Sequence, residues 1–131
     1  MTNIINKIDS NGVNTMYSSP EMVVDRNGNE IWKINGKLHR EDGPAIIRAN
    51  GNKEWYLNGI LYREDGPSVE NSNGNKFWYI DDKLHREDGP AIERMNGDKT
   101  WCENGICHRE DGPAMELANG KKFWYLNGYQ I

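Results

Sequence analysis

At 131 residues the chain has the length of a single domain, and its 16 basic and 20 acidic residues give a net charge of −4. The basic residues are interspersed with the acidic ones, which excludes nucleic acid as a partner because phosphate contacts supply most of that affinity. The N-terminal segment MTNIINKIDSNG lacks the apolar core of a signal peptide, and no apolar run reaches the length of a membrane span. We therefore expect a cytoplasmic protein without a membrane span.

Residues 1–26 are irregular, apart from one short match to the rest of the chain. Met22, Val23 and Val24 resemble the first strand of the unit that recurs after residue 27. We expect residues 1–26 to form an N-terminal cap and a first partial repeat, because terminal repeats need atypical outer faces.

Residues 27–131 repeat themselves with a period of 23 residues, which predicts a repeat architecture. We number the full repeats one (28–50), two (51–73), three (74–96) and four (97–119), followed by a C-terminal half-repeat (120–131). The period is set by two columns of identical residues: Trp32, Trp55, Trp78, Trp101 and Trp124, and Gly28, Gly51, Gly74, Gly97 and Gly120. With the N-terminal segment, these repeats are expected to form a single domain.

Every full repeat except the third carries two Asn-Gly dipeptides, and this dipeptide is the strongest short signal for a tight hairpin turn. Around Asn50-Gly51 and Asn58-Gly59 the pattern predicts three short strands in a meander, at Ala45–Ala49, Asn52–Leu57 and Ile60–Tyr62. The segment Arg-Glu-Asp-Gly-Pro then links one meander to the next, because proline cannot donate a hydrogen bond to a strand ladder.

Two-residue turns at both dipeptides would fix the register of the strands. The first turn would pair Ile46 with Trp55, and likewise an aliphatic residue or methionine with every other tryptophan, which are favourable cross-strand pairs. The second turn would pair Leu57 with Ile60 and Trp55 with Tyr62. We predict an all-β fold of tandem 23-residue antiparallel β-hairpin repeats, which form an elongated twisted sheet or an open solenoid.

The motif Trp-x-x-Asn-Gly-x-x-His within a 23-residue hairpin repeat resembles the MORN family. The fuller pattern W-Y-x-N-G-x-x-H-R-x-D-G-P-A is most similar to a MORN-like variant in uncharacterised proteins of bacteriophages and large viruses. The chain differs from standard MORN repeats because it lacks Tyr-x-Gly before the tryptophan and inserts Arg-Glu-Asp before the last glycine. The resemblance implies an elongated β-repeat rod and a role in protein association, with membrane-lipid contact for some members. The aromatic hairpins are also weakly similar to choline-binding cell-wall repeats.

Three histidines recur in one column, at His39, His85 and His108, and Tyr62 takes their place in repeat two. Tyrosine can stack on tryptophan but is a poor replacement for a zinc ligand, so we interpret the column as structural and expect no metal. Each Arg-Glu-Asp triplet is interpreted as an aspartate that caps the Gly-Pro turn and an arginine that pairs with a neighbouring acid. A calcium site would need about six to eight converging oxygens.

Cys102 and Cys107 replace the tyrosine and leucine of the other repeats, and the predicted register places them opposite each other. A cross-strand disulfide is geometrically possible, but reduced thiols are the default in the cytosol. The sequence shows no nucleophilic residue paired with a general base. Catalytic residues would occur once and break the symmetry of the repeats, whereas the polar residues here recur from repeat to repeat. We therefore expect no enzyme activity, no catalytic residues and no cofactor.

The predicted face opposite the tryptophans presents an aromatic stripe interleaved with glutamates. It either binds a partner, a glycan or a base, or is covered as ordinary core. The predicted partner-binding residues are Tyr56, Phe77, Tyr79, Phe123 and Tyr125, interleaved with Glu54, Glu70, Glu93 and Glu116.

We predict a non-enzymatic protein–protein interaction module. From the resemblance, it would be encoded by a phage or virus and bind a host protein in the host cytoplasm. The alternative is a small-molecule or glycan-binding repeat module that uses its aromatic residues. The edge strand near Ile131 is a further candidate surface, because an open edge allows self-association.

Overall fold

The computed structural model describes residues 3–8, 12 and 14–131, with the side chains of residues 12 and 19–131. Every regular element in this part of the chain is a strand, which confirms the predicted all-β class. The same residues contain no helix with the length and apolar character to cross a bilayer.

The strands follow the repeats closely. The N-terminal strands are β1 (Asn3–Ile8), β2 (Asn14–Ser19) and β3 (Glu21–Val24). Repeat one contains β4 (Glu30–Ile34), β5 (Lys37–Leu38) and β6 (Ile46–Ile47). Repeat two contains β7 (Lys53–Glu54), β8 (Tyr56–Leu57), β9 (Ile60–Leu61) and β10 (Val69–Glu70). Repeat three contains β11 (Lys76–Phe77), β12 (Tyr79–Ile80), β13 (Lys83–Leu84) and β14 (Ile92–Glu93). Repeat four contains β15 (Lys99–Thr100), β16 (Cys102–Glu103), β17 (Ile106–Cys107) and β18 (Met115–Glu116), and the half-repeat contains β19 (Lys122–Phe123), β20 (Tyr125–Leu126) and β21 (Tyr129–Gln130).

The strands form two rows of antiparallel hairpins. The first row is one sheet in sequential order, β3-β4-β6-β7-β10-β11-β14-β15-β18-β19, with β5 paired to β4. The second row consists of the two-stranded hairpins β8–β9, β12–β13, β16–β17 and β20–β21. In the described part of the chain β3 and β19 do not pair with each other, so the sheet is open.

From repeat two onward the predicted middle strand is split at its tryptophan, which connects the two rows; in repeat one β4 continues through Trp32. Trp55 lies between β7 of the sheet and β8 of the second row, and its backbone amide donates to the carbonyl of Ser68 at 2.8 Å. Ser68 is fully buried, and its equivalents Ala45, Ala91 and Ala114 are as well. A small residue after each Gly-Pro therefore lets the link between repeats approach the tryptophan backbone closely.

The predicted register of the first turn is wrong by one residue. Ile46 pairs with Glu54 and not with Trp55. The amide of Gly51 donates to the carbonyl of Arg48 at 2.8 Å, and only the glycine of this Asn-Gly has a positive φ, at 93°. The loop is therefore a three-residue turn with a glycine bulge, not a two-residue turn. The same shift gives the pairs Val69–Phe77, Ile92–Thr100 and Met115–Phe123.

The predicted register of the second turn is confirmed. Asn58 and Gly59 both have positive φ, at 52° and 79°, as a two-residue type I′ turn requires. Leu57 pairs with Ile60, and the amide of the residue at the histidine position donates to the tryptophan carbonyl in each full repeat. The other second-row hairpins have the matching pairs Tyr79–Leu84 and Cys102–Cys107.

The N-terminal strands begin the repeat pattern. In β3, Val24 lies opposite Glu30, in the register that Ile47 and Lys53 adopt one repeat later. Among the described strands, β1 and β2 pair only with each other. The predicted cap stays a prediction, and its residues 1, 2, 9–11 and 13 lie outside the described residues.

Candidate functional site on the tryptophan–arginine face

Each full repeat places an arginine guanidinium over the ring of its own tryptophan, an arrangement that attracts the cation to the π system. The tryptophan and the arginine are always eight residues apart, a recurrence that would have revealed the pair in the sequence. The distance from the arginine Cζ to the ring centroid is 3.9–4.0 Å in Arg40–Trp32, Arg63–Trp55, Arg86–Trp78 and Arg109–Trp101. We call this side of the molecule the tryptophan–arginine face.

The arginines are held by several partners at once, as Arg86 illustrates. Its Nη1 donates to the carbonyl of Pro90 at 3.1 Å and to Glu93 Oε1 at 3.2 Å, and its Nε donates to Asp88 Oδ1 at 3.1 Å. Gly89 leaves room for the guanidinium, because a Cβ there would lie 3.0 Å from Cζ of Arg86. The positive charge of the arginine is therefore balanced by carboxylates, and its side chain is largely shielded from solvent. This geometry agrees with the interpretation of an arginine paired with a neighbouring acid.

The glutamates of β10, β14 and β18 also lie on this face, contrary to prediction. Arg63 Nη1 donates to Glu70 Oε1 at 2.9 Å, and Glu116 is 3.5 Å from Arg109. Because strand side chains alternate between faces, the one-residue error in register moved these glutamates to the wrong side.

The acidic residues that follow each arginine are exposed. Seven of their side chains are 81–92% exposed, whereas the arginine side chains are only 22–25% exposed. Glu64 is exposed as well. We call this row the acidic rail; its members are Glu41, Asp42, Glu64, Asp65, Glu87, Asp88, Glu110 and Asp111.

Three open troughs separate consecutive loops of the acidic rail. Their volumes are about 850, 710 and 650 Å³ along the chain. The first trough is lined by Trp55, Leu57 and Tyr62 between the loops of repeats one and two. At the equivalent positions the second trough is lined by Trp78, Ile80 and His85, and the third by Trp101, Glu103 and His108. The fold thus presents one recess with an aromatic lining and acidic borders at each repeat junction.

The histidine column joins neighbouring hairpins of the second row. The Nδ1 atom accepts the backbone amide of the next Asn-Gly turn, so the neutral ring carries its proton on Nε2. These bonds are His39 to Asn58 at 2.9 Å, His85 to Asn104 at 3.0 Å and His108 to Asn127 at 2.9 Å. This geometry supports the structural interpretation of the histidines. Among the described residues, no three histidine, cysteine or acidic side chains converge as metal ligands would.

The predicted aromatic stripe is partly buried along its length. Tyr56 donates its hydroxyl to Glu54 Oε1 at 3.0 Å, and Glu54 in turn accepts from Arg48 Nε at 2.6 Å. Burial, followed by the charge of Glu54, raises the pKa of Tyr56 to about 12. Burial also raises the pKa of Tyr79. Phe77, Phe123 and Tyr125 are partly buried as well.

The two cysteines face each other across β16 and β17 as free thiols. Cys102 is buried, and this burial, followed by the proximity of Cys107, raises the pKa of the Cys102 thiol to about 12. At neutral pH Cys102 is therefore a protonated and unreactive thiol.

The arrangement as a whole offers non-covalent recognition through charge and aromatic surface. No protein-family model matches the chain, and no curated protein matches it.

Proposed function

We propose that the protein is a non-enzymatic protein–protein interaction module that binds its partner through the tryptophan–arginine face. The observation that carries the proposal is the set of three troughs with like lining at successive repeat junctions. Weak contacts repeated along a line gain affinity only when one long ligand spans them together. A protein segment meets that condition.

The MORN-like motif supports the same proposal, because that resemblance implies a role in protein association. As further parts of the proposal, the protein is encoded by a phage or virus and acts in the host cytoplasm on a host protein. Self-association through the C-terminal edge strand near Ile131, which is β21 of the hairpin β20–β21, is a second mode of protein contact.

A small-molecule or glycan ligand is the second candidate. The trough lined by Trp55, Leu57 and Tyr62 has a volume of about 850 Å³. Ligand pockets commonly have about 300–1,000 Å³ and an aromatic lining. A sugar or nucleotide that raises the melting temperature of the free protein would favour this candidate.

Two pairs of substitutions separate the candidate surfaces. Glu64→Lys with Glu87→Lys reverses charge on the acidic rail. Tyr56→Ser with Tyr125→Ser removes two aromatic rings of the predicted stripe that do not line the troughs. Each variant and the wild type are used to capture proteins from a host lysate, after circular dichroism has shown that the variants are folded. The proposal predicts loss of specific capture only for the glutamate variant.

The other outcomes are informative as well. Loss only for the tyrosine variant would place the binding site on the aromatic stripe. Equal capture by all three proteins would contradict binding through either surface.

A further inference from the structure

We propose that the partner segment is an extended, basic peptide that carries one lysine or arginine per repeat, which means at every third residue. This inference rests on the proposed function and specifies the chemistry of its partner. Three features of the tryptophan–arginine face carry it: the sign of its exposed charge, the spacing of the repeats and the lining of the troughs.

The exposed charge on both sides of the troughs is negative. The side chains of Glu87 and Asp88 are 85% and 87% exposed. The side chain of Arg86, which lies between the ring of Trp78 and the acceptors of its own hydrogen bonds, is only 23% exposed. The same division between exposed acids and withdrawn arginines recurs in the other full repeats. An approaching ligand therefore meets carboxylates first, and a basic segment is complementary to them.

The repeat spacing selects an extended conformation for this ligand. Each repeat adds two strands to the sheet, so equivalent carboxylates advance by about 9.5 Å from one repeat to the next. An extended polyproline II helix has three residues per turn, so every third side chain lies on the same side, at a spacing of about 9.3 Å. Basic side chains at every third residue would thus meet successive pairs of the acidic rail.

The trough lining suits the residues between the basic positions. Trp55, Leu57 and Tyr62 offer apolar and aromatic surface in the first trough, and Trp78, Tyr79 and Ile80 offer it in the second. Side chains of an extended peptide can cover this surface while its cations stay at the rail. A nucleic acid would bring phosphates against the carboxylates, which is unfavourable.

Two fluorescein-labelled peptides of identical composition test the proposal by fluorescence anisotropy. The first repeats Lys-Pro-Val four times, which favours the polyproline II conformation, and the second contains the same residues with its four lysines placed consecutively. Because their net charges are equal, a difference in affinity reports the spacing of the lysines. We expect the first peptide to bind the wild-type protein about tenfold more tightly, a difference of about 1.4 kcal/mol.

Two variants locate the contact. The first variant neutralises four carboxylates of the acidic rail: Glu41→Gln, Glu64→Gln, Glu87→Gln and Glu110→Gln. Its affinity for the first peptide should be about tenfold lower than that of the wild type, and it should bind the two peptides equally well. The control neutralises two exposed cations on the side of the aromatic stripe: Lys33→Gln, at the position of Tyr56, and Arg94→Gln, near the ring of Phe77. This control should bind within about twofold of the wild type, because exposed single charges contribute little at a distance.

Equal affinity for the two peptides would overturn the proposed spacing. Unchanged binding by the quadruple glutamate variant, or tighter binding of a peptide with glutamate in place of lysine, would overturn the proposed charge. If either result appears while capture from lysate still depends on Glu64 and Glu87, the partner chemistry is wrong and the interaction module stands. If that capture is also unaffected, the proposed function itself is wrong.

Discussion

The carboxylate of Asp82 accepts the backbone amide of Leu61 at 3.1 Å, and this bond joins the second-row hairpins of repeats two and three. At the next junction the turn is the donor, since the amide of Gly105 donates to the carbonyl of Leu84 at 2.8 Å. Asp82 occupies the position of that glycine and keeps its left-handed conformation, with φ at 60°. A side-chain contact thus replaces a backbone contact at this one described junction.

The histidine contact is replaced at the same junction. Between repeats three and four, His85 accepts the amide of Asn104 at 3.0 Å. In repeat two the histidine position holds Tyr62, and the asparagine position of the following turn holds Asp81. Both sides of the contact differ together. The bond that the Arg86 amide donates to the Cys102 carbonyl has no equivalent here either, so among the described residues this junction lacks three hydrogen bonds that its neighbours contain.

Restoring the common residues at this junction should stabilise the protein. The triple variant Tyr62→His, Asp81→Asn and Asp82→Gly supplies the histidine acceptor and the glycine amide donor. Two hydrogen bonds are gained and the bond from Leu61 to Asp82 is lost. Each contributes about 0.5–1.5 kcal/mol net, so we expect the free energy of unfolding to rise by about 0.5–1.5 kcal/mol. Urea denaturation measures the gain, and hydrogen exchange should slow at the amides of residues 81 and 82, which gain acceptors. An unchanged midpoint and unchanged exchange would show that this junction is not the weaker one.

The reverse substitution should be costly, although the sequence by itself predicts that His85→Tyr is neutral because Tyr62 already occupies the equivalent position. The geometry shows that His85 Nδ1 accepts the Asn104 amide, and tyrosine provides no acceptor there. We expect a loss of about 0.5–1.5 kcal/mol. Adding Asn104→Asp and Gly105→Asp copies the turn found after Tyr62 and should recover part of the loss. Additive costs without recovery would rule out coupling between the two positions.

The repeat architecture was predictable because its signals are local. The second turn needs positive φ at two adjacent residues, which Asn58-Gly59 supplies, and the facing of Cys102 and Cys107 followed from it. The first turn uses the same dipeptide in a different loop. A Cβ on Gly51 would lie 3.1 Å from Ser72 Cβ, so this turn is stacked on the next one along the sheet. This contact joins two neighbouring turns, so the residues of one turn alone could not predict it.

The acidic rail and the arginine stacks were missed for another reason. The Arg-Glu-Asp triplet was visible, but whether an arginine meets a carboxylate or a ring depends on which face its strand presents. The error at Ile46 assigned Glu70 to the wrong face and separated it from Arg63. Because side chains alternate along a strand, an error of one residue at a turn assigns every side chain of that strand to the wrong face.

Gly112→Ala should displace an arginine from its tryptophan. A Cβ on Gly112 would lie 2.8 Å from Cζ of Arg109, which stacks on Trp101 and donates to the carbonyl of Pro113 at 3.1 Å. Loss of the stack and the hydrogen bond should lower the free energy of unfolding by about 1–2 kcal/mol. In an Arg109→Ala background the same substitution should cost almost nothing further. Equal costs in both backgrounds would trace the effect to the backbone instead of the arginine.

Stability should fall as the solution becomes alkaline, because a buried thiol and a partly buried phenol hold their protons in the folded state. The pKa of Cys102 rises from 9.0 to about 12, and the pKa of Tyr56 rises from 10.0 to about 12, in each case mainly through burial. Between pH 9 and 12 the unfolded chain therefore binds fewer protons than the folded chain, so the free energy of unfolding decreases with pH. Below pH 9 this contribution is fully present.

Urea midpoints at pH 7, 9, 10 and 11 measure this decline, and two variants assign it. Cys102→Ala should flatten the curve above pH 9, and Tyr56→Phe should flatten it less, above pH 10, because Tyr56 is only partly buried and solvent screens it. Tyr129→Phe, at a side chain that is 78% exposed, controls for the loss of a phenol hydroxyl. Variant curves that stay parallel to the wild type across this range would show that neither group is responsible for the alkaline loss of stability.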